Sequence, residues 1–221
     1  MSKTIVIGDV HGLKNWKKFL RWNFRGKVIF LGDYCDPYGK MPEEELLQNL
    51  RDIIAYKKKH MKRVVLLLGN HDMHYITSKV PVSSRFNINM YSPLSQLFYE
   101  NRSLFQYAYQ DGHTLFTHAG ISQAWWDEFF HGDSTQNIAD QLNNVDDEQL
   151  AVLGQVGYAR GGNTPWGGIF WADASEMRHP LSGYHQVIGH TRKASVTHEV
   201  VDDATSVTFC DCLFNDEVYK F

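Results

Sequence analysis

TIVIGDVHG, residues 4–12, is the stretch of sequence that decides the fold. It opens with a short run rich in β-branched residues, TIVI, which predicts a buried parallel strand. Asp9 and His11 follow this run directly, with Val10 between them. Functional residues of α/β sheets collect beyond the carboxyl ends of the strands, and alternate residues of an extended chain point to the same side. The stretch therefore predicts a strand that presents a carboxylate and an imidazole at one edge of a sheet.

Four further pieces of the same chemical kind are spread along the chain. They read GDYCD (32–36), GNHD (69–72), THAG (117–120) and GHT (189–191), and each places Asp, His or Asn beside Gly. Four of the five pieces follow an apolar run directly, so their side chains should meet at one edge. The collected candidates are Asp9, His11, Asp33, Asn70, His118 and His190, with His71 and Asp36 beside them.

This set of side chains predicts a site for two metal ions. Carboxylate, imidazole and amide ligands suit Mn²⁺, Fe²⁺ or Zn²⁺. One carboxylate, such as Asp33, can bridge two ions about 3.5–4 Å apart, which can then hold a phosphoryl group and lower the pKa of a bridging water. A single Gly-Asp or Gly-His piece is more often turn chemistry than a ligand. The ordered series of five is what points to metal binding.

The first part of the chain alternates strand and helix. Residues 4–7, 27–31 and 63–68 are predicted strands, and 13–23 is a predicted helix. Residues 43–59 form the clearest predicted helix, because Leu and Ile recur there at helical spacing. Its first three residues are Glu and its last three are Lys, which suits the helix dipole, so we interpret the basic run as a helix end rather than a phosphate-binding patch. The order predicts an α/β fold with parallel neighbouring strands.

The rest of the chain is less regular. Residues 73–111 are rich in aromatic side chains and predict a partly helical insert, which either borders the site or forms a surface excursion with its own small core. Residues 123–153 predict helix, and the glycine-rich 154–168 predicts a loop. Residues 194–221 alternate in the β manner and predict antiparallel strands. No linker or repeat divides the sequence, so 1–221 is predicted to be a single domain.

The bulk composition narrows the class of protein. A chain of 221 residues with 43 % hydrophobic content suits one large α/β domain. The net charge of −3 argues against a protein that holds long nucleic acid by bulk electrostatics. Three cysteines without a C-x-x-C pair do not make a disulfide framework. With no apolar run long enough to span a membrane, these features predict a cytoplasmic protein without membrane association.

The ordered motifs resemble those of the calcineurin-like metallophosphoesterase superfamily. That pattern is D-x-H, G-D-x-x-D, G-N-H-[DE], a late His and G-H-x, and all of its pieces occur here in order between Asp9 and Thr191. Within the superfamily, GDVHG with THAG and GHT is most similar to the phosphoprotein-phosphatase branch. That branch includes bacterial and phage Ser/Thr/Tyr phosphatases and the symmetrical diadenosine tetraphosphate hydrolases. FWAD (170–173) and Asp211 add a weaker similarity to its C-terminal half.

The resemblance implies a fold and a set of site residues. The fold is α/β (α+β by some schemes), with two packed mixed β-sheets flanked by helices in a four-layer sandwich. The implied metal ligands are Asp9, His11 and Asp33 for the first ion, and Asp33, Asn70, His118 and His190 for the second, with Asp33 as the bridge and His190 also near the first ion. His71 is implied as the general acid and Asp36 as its orienting partner, since a neighbouring carboxylate favours protonated imidazole.

The resemblance also implies an activity. It is hydrolysis of phosphate esters or anhydrides by a metal-bridging hydroxide, of the Ser/Thr-type protein phosphatase or diadenosine tetraphosphatase kind. The substrate would be a phosphorylated small molecule, a nucleotide or a phosphoprotein. Mn²⁺ is the favoured metal, with Fe and Zn²⁺ as alternatives. Two other functions stay open: a phosphodiesterase acting on small nucleotides or nucleic-acid ends, and a non-catalytic metal-binding interaction module.

One departure from the family pattern concerns substrate binding. The branch usually reads G-D-x-x-D-R-G, in which the Arg binds substrate phosphate, whereas here Pro37 follows Asp36. A bidentate guanidinium is the natural phosphate ligand. Candidates to supply one are Arg178, Arg192 and Arg160. The departure bears on the substrate and leaves the implied metal ligands complete.

Overall fold

The computed structural model describes residues 3–20 and 24–221, and within them ten strands form two five-stranded sheets. In chain order the strands are β1 (Thr4–Ile7), β2 (Lys27–Phe30), β3 (Val64–Leu67), β4 (Phe105–Gln106), β5 (Ala108–Asp111), β6 (Thr114–Thr117), β7 (His185–Ile188), β8 (Thr197–Val200), β9 (Ser206–Phe209) and β10 (Tyr219–Lys220). The α-helices are α1 (Trp16–Phe19), α2 (Glu43–Lys59), α3 (Asn70–Met73), α4 (Ile88–Glu100), α5 (Gln123–Trp125), α6 (Ile138–Asn143) and α7 (Asp147–Leu153).

The first sheet has the order β10-β1-β2-β3-β4. Strands β1 to β4 run parallel, and β10 pairs antiparallel with β1. The predicted strands at 4–7, 27–31 and 63–68 are confirmed as β1, β2 and β3, and the predicted helix at 43–59 is confirmed as α2. The parallel order places the carboxyl ends of the three strands side by side, each followed by one of the Gly-Asp or Gly-Asn pieces.

Alternation along the buried strands explains how the layers pack. Val6 and Ile29 lie in a cluster with Phe116 and Val187 of the second sheet, so they face the space between the sheets. Their neighbours, such as Phe30, belong to the core that includes the apolar stripe of α2. Each central strand is therefore buried on both faces, which is why its sequence is a continuous apolar run. The predicted fold class, two mixed sheets flanked by helices, is confirmed.

The second sheet has the order β5-β6-β7-β9-β8. The C-terminal prediction was right about strands but only partly right about their direction: β8 pairs antiparallel with β9, whereas β9 pairs parallel with β7. Period-2 alternation is the same for both kinds of pairing, so direction is set by tertiary contacts that the pattern does not contain.

Several predicted elements differ in extent. The predicted helix at 13–23 is observed only as α1, and residues 21–23 lie outside the described part of the chain. The predicted helical stretch 123–153 is divided into α5, a π-helical turn at Trp126–Phe130, α6 and α7. Residues 105–106 and 108–111, inside the predicted insert, form β4 and β5, one strand in each sheet. No helix in the described residues is long and apolar enough to cross a membrane.

Candidate metal centre

Asp33, just after β2, lies at the middle of a cluster of polar side chains at the strand ends. Its Oδ2 is 3.5 Å from Nε2 of His11 and 3.5 Å from Nε2 of His118. His11 follows β1 of the first sheet and His118 follows β6 of the second, so this contact joins the two sheets. The other oxygen, Oδ1, accepts the backbone N–H of His71 at 2.9 Å. The geometry therefore suits a carboxylate that bridges two cations.

The two histidine rings are oriented by backbone carbonyls. Nδ1 of His11 donates to the carbonyl oxygen of Cys35 at 2.8 Å, and Nδ1 of His118 donates to that of Leu31 at 2.9 Å. Because a carbonyl can only accept, the ring proton sits on Nδ1 and the lone pair on Nε2 faces Asp33. A hydrogen bond on the far nitrogen is the usual way in which a protein fixes a metal-ligating imidazole.

A second group of lone pairs surrounds Nε2 of His118. It lies 2.9 Å from Oδ1 of Asn70 and 3.2 Å from Nδ1 of His190. The Asn70 amide nitrogen donates to Ser83 Oγ at 2.8 Å, which turns its carbonyl oxygen toward the centre. The buried Nε2 of His190 has no hydrogen-bond partner in the described residues. Two facing acceptors, Nε2 of His118 and Oδ1 of Asn70, with the unpartnered Nε2 of His190 beside them, fit a cation held in their midst.

Asp9 completes the cluster from the β1 side. Its Oδ1 accepts the backbone N–H of His190 at 2.9 Å, and its Oδ2 lies 3.9 Å from Nε2 of His11. Two groups of ligand atoms within 4.8 Å of one another share Asp33: one adds His11 and His71, the other His118 and His190. A third group joins Asp36, His71 and His74.

The electrostatics of the cluster also fit cations. Burial, followed by repulsion from Asp211, raises the pKa of Asp9 well above its ordinary value. Burial and repulsion from Asp9 do the same to the pKa of Asp33. Burial lowers the pKa of His11 and of His118 to about 3. Such a set of carboxylates and neutral imidazoles is costly to bury alone, and a divalent cation among them reverses that cost.

Backbone strain is concentrated at the same place. Among the described residues, positive φ angles occur at seven non-glycine positions, and five of these lie here: His11 (42°), Asp33 (52°), Asp36 (53°), Arg85 (63°) and His190 (63°). Asp9 and His11 do face the same cluster, with Oδ2 and Nε2 3.9 Å apart, but the expected extended backbone was wrong, because His11 adopts the left-handed region instead. Residues in this region cost free energy and persist where the surrounding structure over-determines them, typically at functional sites.

Glycines in the motifs leave room for the carboxylates. A Cβ at Gly69 would lie 2.1 Å from Oδ1 of Asp33, and one at Gly189 would lie 2.3 Å from Oδ1 of Asp9. No side chain fits at either distance. Glycine is therefore required at both positions because a carboxylate oxygen approaches the backbone closely. The glycines let the ligand-bearing loops pack against each other.

His71 and Asp36 form a buried pair beside the cluster. Nδ1 of His71 lies 2.8 Å from Oδ2 of Asp36, and Tyr75 donates its hydroxyl to Oδ1 at 2.6 Å. Nε2 of His74 is 2.9 Å from Oδ2 but out of line for a good hydrogen bond. Burial alone would raise the pKa of Asp36, but these neighbours hold it below its ordinary value. Asp36 is thus a carboxylate held in its charged form and in one orientation.

The pKa of His71 differs from the sequence argument. A neighbouring carboxylate was expected to favour the protonated ring, and Asp36 does raise the pKa. Burial has the larger effect, however, and the net pKa lies below the ordinary value. The sequence showed the partner of His71 but not how deeply the ring is buried.

A family model described as calcineurin-like phosphoesterase matches residues 2–192. The chain belongs to this family. It is therefore a metal-dependent hydrolase of phosphoric esters, and members of the family typically bind two metal ions, as the paired ligand groups around Asp33 would allow. The predicted family is confirmed.

Two solved structures are similar to this phosphoesterase. A cold-active protein tyrosine phosphatase superposes with a TM-score of 0.58 at 20 % identity, covering 94 % of this chain and 69 % of its own. A protein serine/threonine phosphatase from Saccharomyces cerevisiae, described as similar to human phosphatase PP5, superposes with a TM-score of 0.54 at 16 % identity, covering 95 % of this chain and 67 % of its own. At these identities the likeness shows the fold. No curated protein matches the chain.

The three arginines named as candidate phosphate ligands lie in different surroundings. Arg160 pairs with Asp173 (Nε to Oδ2, 2.9 Å) and donates to Thr191 Oγ1 at 2.6 Å. It therefore contacts the last residue of the GHT piece. Arg192 is exposed and lines a cavity of about 320 Å³ that also touches Asp9 and His11. Arg178 is exposed, and in the described part of the chain no hydrogen bond, ion pair or ring contact links it to the metal centre.

Sequence reasoning missed a fourth arginine. Arg85 donates from Nε to the carbonyl oxygen of Asp36 at 3.1 Å and from Nη2 to Nε2 of His71 at 3.2 Å. It lies between α3 and α4, in a segment without periodicity or motif. The only available signal was indirect: a family arginine is lacking at Pro37, which pointed to an arginine elsewhere in the chain.

Two acidic residues of the phosphoesterase lie beside the centre. Asp72 accepts the backbone N–H of Tyr34 on Oδ1 (2.8 Å) and that of Gly69 on Oδ2 (3.0 Å), which ties the GNHD piece to the GDYCD piece. Burial raises the pKa of Asp72 to about 7. Burial likewise raises the pKa of Asp211 to about 6, and its Oδ2 has no hydrogen-bond partner in the described residues. Asp72 was visible in its motif, whereas Asp211 was noted only through a weak resemblance.

Proposed function

We propose that this chain is a dinuclear metallophosphatase of the phosphoprotein-phosphatase type, acting on phosphate esters or anhydrides. The observation that carries the proposal is the position of Asp33 Oδ2, 3.5 Å from Nε2 of both His11 and His118. A carboxylate between two outward-facing imidazole lone pairs is what a bridged pair of cations requires. The His71–Asp36 pair beside it supplies the second part of the catalytic apparatus.

The proposed ligands fall on the two sides of Asp33. The first ion would take Asp9, His11 and Asp33, and the second would take Asp33, Asn70, His118 and His190. The donor set is oxygen and nitrogen without thiolate, which supports Mn²⁺ as the proposed metal, with Fe or Zn²⁺ as the other candidates. When bound, the two ions would lower the pKa of a water between them and offset charge on the phosphoryl oxygens.

We assign the acid role to His71. Asp36 fixes the ring through Nδ1, so Nε2 points into the centre, where Arg85 now contacts it. In the structure Nε2 accepts from Arg85, so the acid form requires that the ring takes up a proton from solvent on Nε2 while its Nδ1–H stays on Asp36. That imidazolium would give the Nε2 proton to the leaving oxygen and return to the neutral ring. Tyr75 keeps the carboxylate in place through its hydroxyl. Three side chains, His71, Asp36 and Tyr75, would therefore hold and orient the acid proton.

The proposed substrate is a phosphorylated protein or small molecule, or a nucleotide. The two similar structures are named as a protein tyrosine phosphatase and a protein serine/threonine phosphatase, which supports a phosphoprotein without choosing among the three. A non-catalytic role is disfavoured because every proposed ligand and the acid pair is present in one cluster. We also propose that residues 1–221 form one domain and act in the cytoplasm; the three cysteines are free and buried, which suits a reducing compartment.

The test is hydrolysis of p-nitrophenyl phosphate by protein stripped with a chelator and then resupplied with Mn²⁺. We expect activity only after metal is returned, with about two ions per chain by elemental analysis. Phosphopeptides, diadenosine tetraphosphate and phosphodiesters would then rank the substrate classes. Full activity without metal, or metal bound at two ions per chain with no hydrolysis of any of these substrates, would contradict the proposal.

A further inference from the structure

Tyr38 lies between two arginines at the mouth of the metal centre. The guanidinium carbon of Arg85 is 3.7 Å from the centroid of the Tyr38 ring, and that of Arg192 is 3.8 Å from the same centroid. The ring itself is 55 % exposed and meets His11 edge-on, with centroids 4.8 Å apart. An aromatic side chain is thus held over the centre by cations rather than by apolar packing.

The two guanidinium groups lie on opposite faces of the ring. A group this close to a ring centroid has to sit near the axis through the ring face, because in the ring plane it would overlap the ring atoms. Two groups at 3.7 and 3.8 Å on one face would then overlap each other. Tyr38 therefore acts as a spacer that holds two like charges apart while it attracts both.

Arg85 occupies the side of the acid pair. Its Nε donates to the carbonyl oxygen of Asp36, and its Nη2 lies 3.2 Å from Nε2 of His71. A phosphoryl group whose leaving oxygen approaches that nitrogen meets the guanidinium at the same time. The positive φ of Arg85, 63°, is a second sign that this position is held by contacts rather than by backbone preference.

Arg192 occupies the opposite side, where the cavity touches Asp9 and His11. Its side chain makes no hydrogen bond within residues 3–20 and 24–221, and no carboxylate there lies within 4.0 Å of either guanidinium. Its guanidinium packs on the rings of Tyr38 and Phe214, the latter 4.2 Å away, and shares the cavity with the Asp9 and Asp211 carboxylates. All five of its N–H groups are thus available to an anion.

We propose that Arg85 and Arg192, spaced by Tyr38, are the phosphate clamp of this enzyme and make it a phosphomonoesterase rather than a phosphodiesterase. The inference rests on the proposed function and names the substrate class of the same site. A transferred monoester group presents three non-bridging oxygens and two negative charges, so at the edge of the Tyr38 ring it would face the metal ions and draw N–H groups from both arginines. A diester has one fewer non-bridging oxygen and one fewer charge to offer the two arginines. The clamp replaces the arginine that Pro37 excludes.

The first experiment removes each arginine from the Mn²⁺-loaded chain. We expect Arg85→Ala and Arg192→Ala each to raise KM for p-nitrophenyl phosphate, and the Kd of inorganic phosphate measured by calorimetry, by about tenfold or more. Hydrolysis of bis-p-nitrophenyl phosphate should change less, so the monoester-to-diester ratio should fall. Arg51→Ala is the matched control, because it removes an exposed arginine paired with Glu44 on α2.

The second experiment tests the spacer. Tyr38→Phe keeps the ring and should leave the KM for p-nitrophenyl phosphate and the Kd of phosphate within about twofold of the wild-type values. Tyr38→Ala should weaken phosphate binding as much as the loss of one arginine. Metal content should stay at the wild-type value in every variant. Arg178→Ala, the remaining exposed candidate, should behave like Arg51→Ala.

The results separate this inference from the proposed function. If the wild-type chain hydrolyses p-nitrophenyl phosphate but the Arg85 and Arg192 variants bind phosphate as tightly as it does, the clamp assignment is wrong and the function stands. A wild-type preference for the diester would also overturn it. If the wild-type chain hydrolyses nothing, the calorimetric Kd still decides the clamp, because phosphate binding needs no turnover.

Discussion

The metal centre and the clamp above it are held in different ways. At the centre, Asp33, His11 and His118 each have a second atom fixed by a backbone hydrogen bond, and all are buried. In the clamp, Tyr38 and Arg192 are exposed and are held mainly by ring–cation contacts. The comparison teaches that the proposed metal site is fixed by many contacts of the fold, whereas the proposed substrate-binding residues depend on a few ring–cation contacts.

The largest effect should come from Asp33→Asn. The amide keeps the size of the side chain but removes the charge between His11 and His118. Loss of an outer-shell partner alone costs a metal site ~10–100-fold, so loss of the bridge should cost more, with metal content well below two ions per chain. Elemental analysis and p-nitrophenyl phosphate hydrolysis measure both. Asp52→Asn, which changes a partly exposed carboxylate paired with Lys17, is the control. Wild-type activity in Asp33→Asn would show that the centre is not over-determined.

His71→Ala should separate acid chemistry from metal binding. We expect kcat to fall by ~10²–10⁴-fold, the usual contribution of a general acid, while the ligands around Asp33 still hold metal. The fall should be smaller for p-nitrophenyl phosphate, whose leaving group needs little protonation, than for a phosphopeptide. His60→Ala, at the end of α2, provides the control. Equal losses on both substrates would argue that His71 acts as a ligand rather than as the acid.

Gly69→Ala should disturb the centre through packing alone. The added Cβ would meet Oδ1 of Asp33 at 2.1 Å, and the backbone around both motifs would have to move. Overpacking of this kind costs ~1–3 kcal/mol, so thermal unfolding should shift downward and metal should bind less tightly. Gly39→Ala, which would meet nothing within 4 Å, is the matched control. If both variants unfold alike, the close approach at Gly69 is not what holds the loops.

Most of the centre could be predicted from sequence because its ligands lie in short motifs directly after strands. A strand such as TIVI and its Gly-Asp piece are local features, and parallel order brings their ends together. The contact between Tyr38 and Arg85 could not be predicted from the sequence, for the opposite reason. They belong to irregular segments about fifty residues apart in sequence, and only the three-dimensional path of the loops brings them together.

The same reasoning explains errors inside the fold. Strands β4 and β5 are short and lie in a segment rich in aromatic side chains, so composition favoured an insert over two sheet strands. The left-handed turn at His11 has no sequence signal, because a histidine there is held by Asp33 and by Cys35 rather than by its own preference. Burial of His71 is likewise a property of the packed molecule, and it reversed the direction expected for that pKa.

Tyr75→Phe should have a moderate effect on the acid pair. It removes the hydroxyl that donates to Asp36 at 2.6 Å and leaves a buried carboxylate oxygen without that partner. The loss of such a hydrogen bond costs ~1–3 kcal/mol, part of which should appear as a lower kcat with KM unchanged. Phosphate binding should not change, since the clamp is untouched. A rise in KM without a fall in kcat would place Tyr75 with the substrate-binding residues instead.

The smallest effect concerns backbone strain in the clamp. Arg85→Gly and Arg85→Ala both remove the guanidinium, but only glycine accepts a φ of 63° at no steric cost. The glycine variant should therefore be the more stable of the two by about 1 kcal/mol, since a left-handed residue with a Cβ costs ~1–2 kcal/mol and glycine gives part of that back as entropy in the unfolded chain. Denaturant unfolding of both variants measures the difference, and both should bind phosphate equally weakly. Equal stabilities would mean that the strain at Arg85 is relieved by the loop once the side chain is gone. The strain would then be a consequence of the contacts with Asp36 and Tyr38, whereas a difference of the expected size would show that the backbone holds this conformation without them.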